Sequence, residues 1–315
     1  MLRFRDHFKR FHVGKLIAFI VLAIVAGGYY DFARAQQPVQ KVFTSSDEAC
    51  AELLRALQQE DQHALLQILG PTATEIISAG DETQDRNSRR QFVEKYREMH
   101  RMVREPDGTI TLYVGAENWP LPIPLRQEAN SWYFDPVATK AEILFRRIGR
   151  NELDTIEVCR ELVSAQNEYH SESRDGAVKQ FAPRFLSDDG KHNGLYWRIS
   201  NSEPESPVGP LLTLANADYA RETTKARPFR GYYYRILNRQ GRHARGGARN
   251  YMVNAKMTGG FAFVAYPAEY RSSGVMTFIV NQDGTVYQKD LGRQTAIRAT
   301  TLKGFDPDAT WKEVD

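Results

Sequence analysis

A chain of 315 residues with 42% apolar and 26% charged side chains has a globular composition, which excludes wholesale disorder, collagen-like repeats and a polytopic membrane protein. The length suggests about two domains, since a single core rarely grows past about 250–300 residues. Two cysteines are too few for a disulfide scaffold or a Cys-rich zinc module, and the formal net charge is only +3.

Arg3, Arg5, Lys9, Arg10 and Lys15 precede Leu16 to Tyr30, a run without a charge, and Ala33-Arg34-Ala35 places small residues where a signal peptidase reads them. Residues 1–35 are expected to be an export signal cleaved after Ala35, followed by a linker at 36–42. The protein is then periplasmic or secreted. A membrane span needs about 20 apolar residues and this run stops at Asp31, so anchoring in the inner membrane by residues 16–30 is the alternative. Residues 1–35 carry six Lys/Arg and two Asp/Glu, a net of +4 that leaves −1 on the remainder. No nucleic-acid partner is therefore expected, and membrane contact is expected only through this segment if it stays attached. Gly14 is followed by Lys15, and Phe19 stands where a prepilin signal needs Glu, which excludes maturation as a pilin.

A first domain is expected over 43–148. Ser45 and Glu48 form a capping box for a helix with Cys50, Leu53, Leu54 and Leu57 on one stripe. Asp61 caps a second helix, closed by Gly70-Pro71, and a third amphipathic segment runs from about Arg89 to Val103. Thr109 to Gly115 alternates as a strand, and Ser131 to Phe134 is another. Between them, prolines at 120, 122 and 124 delete amides on one side of an extended chain, which fits an edge strand from Trp119 to Leu125. A polyproline II recognition segment is the functional alternative.

A second domain is expected over 149–315. Val137 to Ile148 reads as a helix interrupted at Gly149, and Asn151 as the cap of a new one whose Val158, Cys159, Leu162, Val163 and Tyr169 cover a broad apolar face. Strands follow at Phe229 to Leu237, Phe261 to Tyr266 and Val275 to Val280. A turn at Asn281 to Gly284 leads into a last strand from Thr285. Phe305 and Trp311 are expected to pack back on the body. The fold class is α+β: a first domain of helices on a curved antiparallel sheet, similar to cystatin-like or nuclear-transport-factor-two-like folds, and a second with a long helix on an antiparallel sheet. The second is similar to the heads of type IV pilins and pseudopilins.

Several stretches resemble an uncharacterised bacterial family, domain-of-unknown-function family twenty-nine-fifty. They are Trp119-Pro120-Leu121-Pro122-Ile123-Pro124, Arg146 to Glu152 (RRIGRNE), Gly259 to Tyr270 (GGFAFVAYPAEY), Gly274 to Asn281 (GVMTFIVN) and Tyr287 to Gly292 (YQKDLG). The resemblance spans about residues 43–314 and implies an exported bacterial protein with no established activity. Where members often carry an Asp-rich loop after the long helix, this chain has Ser173-Arg174-Asp175-Gly176 with a single carboxylate, so no metal is expected there.

No catalytic residue, metal or cofactor is expected. Nucleophile elbow, zinc-protease, phosphate-loop and dinucleotide motifs are all absent, and His63, His100, His170, His192 and His243 lie at no ligand spacing. Cys50 and Cys159 are either a disulfide, permissible after export, or two separate core thiols. Arg146 and Arg147, with Arg150, Asn151 and Glu152, form the densest polar cluster. They read as an anion clamp or as an inter-domain salt-bridge and capping group. Arg242, His243, Arg245 and Arg249 among three glycines read as a mobile basic loop. Trp119 and Trp132, with Glu117, are placed near the mouth of a pocket, and Tyr233 belongs to a Tyr-rich strand suited to a partner face. The leading reading is a non-catalytic envelope protein that binds or scaffolds a protein partner or cell-wall polymer. The alternatives are a hydrolase-like enzyme using the first-domain pocket and an accessory of a secretion or pilus system.

Overall fold

The computed structural model describes residues 40–314, apart from 138, 175–177, 198–204 and 210–227. The expected signal segment, and part of the Ser173 to Gly176 loop, lie outside the described residues. The architecture is α+β.

Helix α1 (Ser46–Gln58) starts where Ser45 Oγ accepts the amide of Glu48 at 3.1 Å. Glu48 reaches back one residue further than a capping box requires, to the amide and hydroxyl of Thr44. Helix α2 (Gln62–Leu69) is capped by Asp61, and Gly70, at φ +84°, turns the chain through a short 3-10 turn (Pro71–Ala73) into α3 (Thr74–Ile77). Helix α4 (Glu82–Glu98) begins two turns before the amphipathic segment read from the sequence. Its first half, Glu82 to Gln91, has no apolar period, and it is the side chain of Asp81, accepting from Gln84, that starts it. Its end is also earlier than expected, because His100–Arg104 is strand β1.

β1 pairs antiparallel with β2 (Ile110–Val114), which continues through β4 (Leu125–Glu128) to β5 (Ser131–Phe134). The Pro-rich run is not one edge strand. Only β3 (Trp119–Pro120) pairs with β2, the amide of Leu121 donates to Leu112 at 2.7 Å, and Pro122 to Pro124 then bulges out before pairing resumes at Leu125. The missing amides of Pro122 and Pro124 break the ladder there.

Helix α5 runs from Lys140–Ser171 without interruption. The expected break at Gly149 and cap at Asn151 are therefore corrected. Gly149 faces open space, where its lack of a side chain costs only propensity. Asn151 is fully buried mid-helix and uses its side chain for long-range bonds. The C-terminal sheet has the order β14 (Lys312–Glu313), β13 (Val286–Asp290), β12 (Met276–Asn281), β11 (Ala262–Pro267), β6 (Tyr232–Leu237), all antiparallel. Short strands β7 (Arg239–Gln240) and β8 (Arg249–Asn250) pair beside it, as do β9 (Met252–Val253) and β10 (Lys256–Met257). Helix α6 (Thr295–Thr301) packs on β11. Phe305 is buried and meets Tyr287 edge-on at 5.9 Å, and Trp311 packs against the same core.

Two hydrophobic clusters result. One joins α1, α2 and the first sheet through Leu53, Leu65, Leu112, Leu125 and Phe134, with Ile143 of α5 against it. The other joins Val158 to Tyr169 of α5 to Phe261, Phe263 and Phe278 of the C-terminal sheet.

Candidate functional site

A cavity of about 490 Å³ opens between the N-terminal helices, the Pro-rich bulge and the first turns of α5. Its walls are apolar because α1 and α2 turn Leu53, Leu57, Leu65 and Leu69 toward it, the α3 turn adds Ile76 and Ile77, and the bulge presents Leu121 and Ile123. Continuous strand pairing would have sent alternate side chains of this run to the other face of the sheet. The proline break instead lets the whole segment Trp119 to Ile123 line one wall.

The rim is polar and mostly cationic. Arg89 and Lys95 come from α4, and Arg146, Arg147 and Arg150 from two adjacent turns of α5, against Asp85 and Glu142. Arg146 is held by Glu142 at 2.6 Å, the i,i+4 spacing of a helix pair. Arg147 donates to the carbonyl of Glu75 at 2.5 Å and to that of Ile76, so it satisfies the end of α3. Burial lowers its affinity for the proton, and nearby Asp85 opposes that shift. Asp85 accepts the amide of Ala79 at 3.0 Å and the hydroxyl of Ser78 at 3.2 Å. Burial raises its carboxyl pKa despite those bonds and the charge of Arg147. Arg150 is exposed at the rim and forms no ion pair among the described residues.

The sequence-derived candidates separate in space. Trp119, Arg146 and Arg147 meet at this cavity. Trp132 does not: it is buried on β5, where it bridges Phe43 under the guanidinium of Arg104 at 5.6 Å. Glu117 is tied to Lys95 at 2.8 Å, and that hydrogen bond holds its carboxyl below the usual range, which suits a fixed carboxylate rather than a proton donor. Glu152 accepts the amides of Val275 and Met276, both at 2.9 Å, and so fixes the start of β12. Tyr233 lies opposite Tyr266 across β6 and β11, with rings 5.5 Å apart. Tyr232 and Tyr234, beside it, spend their hydroxyls on Met276 and Thr155. Cys50 and Cys159 are both buried and free, one in each hydrophobic cluster.

Reading the sequence missed Gln84, Asp85, Arg89 and Ile143. The first three sit in the polar half of α4, where no hydrophobic period marks a helix; an acid cap at Asp81 was the available signal. Among the described residues no group of three or more His, Cys, Asp or Glu is placed to hold a metal, and no helix is long and apolar enough to cross a membrane.

A family model described as a protein of unknown function (DUF2950) matches residues 40–314, the family that the quoted motifs resemble. Comparison with curated proteins found no match, and comparison with solved structures found none.

Proposed function

The chain belongs to the DUF2950 family of proteins of unknown function, and from that premise we propose that it is a non-catalytic binding protein whose cavity takes an amphiphile with an anionic head. The observation that carries this reading is the cavity itself. At about 490 Å³ it falls within the roughly 300–1,000 Å³ of small-molecule sites, with apolar walls and an arginine-rich rim. An acyl or isoprenoid body fits the leucine and isoleucine walls, and a phosphate or carboxylate head fits the rim, where Arg150 has no ion pair among the described residues. Trp119, in the cavity wall and 45% exposed, agrees with an apolar visitor.

The wider reading keeps the protein in the bacterial envelope, delivered by residues 1–35, where it serves as an accessory or scaffold for a protein or cell-wall polymer. Its support is the charge and apolar pattern of those residues and the near-neutral charge of the remainder. A role beside a pilus or secretion assembly rests on the long helix and closing hairpin alone.

The test is displacement of a fluorescent fatty acid from the purified full chain, together with native mass spectrometry of protein extracted from its host. Saturable binding of one molecule is expected, abolished in Ile143→Trp, which fills the cavity. Binding that survives this substitution would place the ligand elsewhere.

A further inference from the structure

Strand β1 ends the first sheet, and its outer edge is open. Its five residues pair in unbroken register with Ile110 to Val114, with no bulge and no proline. The amide of Gly115 donates to the carbonyl of Met99 at 2.9 Å, and that of Glu105 to Thr109 at 2.8 Å, so the odd-numbered residues turn their backbone toward β2. Antiparallel pairing alternates. His100, Met102 and Arg104 therefore turn their N–H and C=O groups outward, where they meet no hydrogen-bond partner among the described residues. The far edge differs: Phe43 exchanges two hydrogen bonds of 2.8 Å with Trp132 and closes β5.

Open edges are ordinarily guarded by a charge aimed across them, a proline or a bulge. Here the polar side chains lie back over rings of their own half of the chain. His100 stacks on Tyr96 with ring centroids 3.9 Å apart, Arg101 lies over Tyr113 at 4.7 Å, and Arg104 over Trp132 at 5.6 Å. The strand still carries two arginines and no acid, and neither guanidinium pairs with a carboxylate among the described residues. Side chains alternate along a strand, so Arg104 shares the face of buried Ile110 and Leu112, and Arg101 the opposite face. Between them, Met102 and Val103 are half-buried.

We propose that β1 is a docking edge for an extended acidic segment of a partner protein, which joins the sheet as a further strand. Backbone pairing with His100, Met102 and Arg104 supplies the attachment, and side chains supply the choice. An antiparallel visitor places its residues opposite Arg104, Val103, Met102 and Arg101 in turn. Opposite charges at directly facing positions attract, so its first and fourth residues are acidic and the two between are apolar. A second copy of β1 is the wrong occupant: pairing about Met102 would set His100 against Arg104 and gather four arginines along one seam. No residue of β1 lines the amphiphile cavity, so the two readings fail independently.

The experiment is fluorescence anisotropy of the full chain with a labelled, end-blocked peptide, Thr-Thr-Glu-Val-Val-Glu-Thr-Thr. Saturable binding is expected, and binding about tenfold weaker for the counterpart with lysine in place of both glutamates. The double variant Arg101→Glu, Arg104→Glu, at two exposed positions, should exchange these preferences. N-methylation of the first glutamate and second valine, whose amides would face β1, should abolish binding. Methylation of the first valine and second glutamate, whose amides would face away, should not. No saturable binding, equal affinity for the two peptides, or indifference to the first methylation overturns the proposal. A dimer in sedimentation equilibrium that the peptide dissolves would seat a second copy on this edge and overturn the choice of partner.

Discussion

The side-chain amide of Asn151 donates to the carbonyl of Ser273 at 2.9 Å while its oxygen accepts from Gln84 at 3.2 Å, so one fully buried residue joins α4, α5 and the turn before β12. Asn151→Ala strands the buried Ser273 carbonyl away from water and takes one partner from the half-buried Gln84 amide. At about 1–3 kcal/mol for one buried unsatisfied group, a loss of that size is expected, read as a lowered urea midpoint at unchanged m-value. A shift within experimental scatter would show that the network contributes nothing to stability.

Acid titration of Asp85 gives a second prediction. Its folded pKa is raised by burial, so the native state holds the proton more readily than the unfolded chain. The stability from this group is present below the ordinary carboxylate value and lost as the pH rises through the raised one. Glu52 has the opposite sign: hydrogen bonds from Arg55 and Lys41 hold it at about 2, so its contribution is present above its unfolded pKa and lost as the pH falls toward 2. Urea midpoints measured across the acid range should lose, in Asp85→Asn, the decline with rising pH that this carboxyl contributes. A slope identical to wild type would assign the dependence to other groups.

Burial pushes both thiols up to about 12, so neither Cys50 nor Cys159 is a thiolate at neutral pH. Iodoacetamide should label neither in the folded protein and both in denaturant without reductant, as two added masses. Labelling that needs prior reduction would reveal a bridge.

At the mouth of the cavity, Arg150→Glu should weaken an anionic amphiphile about tenfold and leave its uncharged methyl ester nearly unaffected. Parallel displacement curves for palmitate and methyl palmitate measure the difference. Equal losses for both would mean that the arginine shapes the wall rather than binding a head.

Mass spectrometry of the protein from bacterial envelopes is expected to find Gln36 at the amino terminus. A chain beginning at the initiator methionine and retained with membranes would instead favour the anchored form.

Elements whose apolar period matches their burial were legible in the sequence: the Cys50, Leu53 stripe of α1, the alternating β2, and the hairpin at Asn281 to Gly284. The polar start of α4 was not, because only the Asp81 cap and its packing specify it. The cavity was half visible. Trp119, Arg146 and Arg147 are conspicuous by type, whereas Ile143 and Asp85 become wall residues only when the proline bulge and α5 close around them. Gly149 misled because glycine weakens a helix by only about 1 kcal/mol, less than the packing at either end of α5 supplies.

That unbroken helix also sets a phase. Arg146 and Arg147 at the cavity and Cys159 in the second cluster sit on one screw, at about 100° per residue. A single residue inserted at Gly149 would turn every downstream side chain by that angle, and two would double the error. Four would bring the faces back to within about 40° at the cost of one extra turn of length. Tolerance to insertions along this stretch should therefore rise and fall with a helical beat.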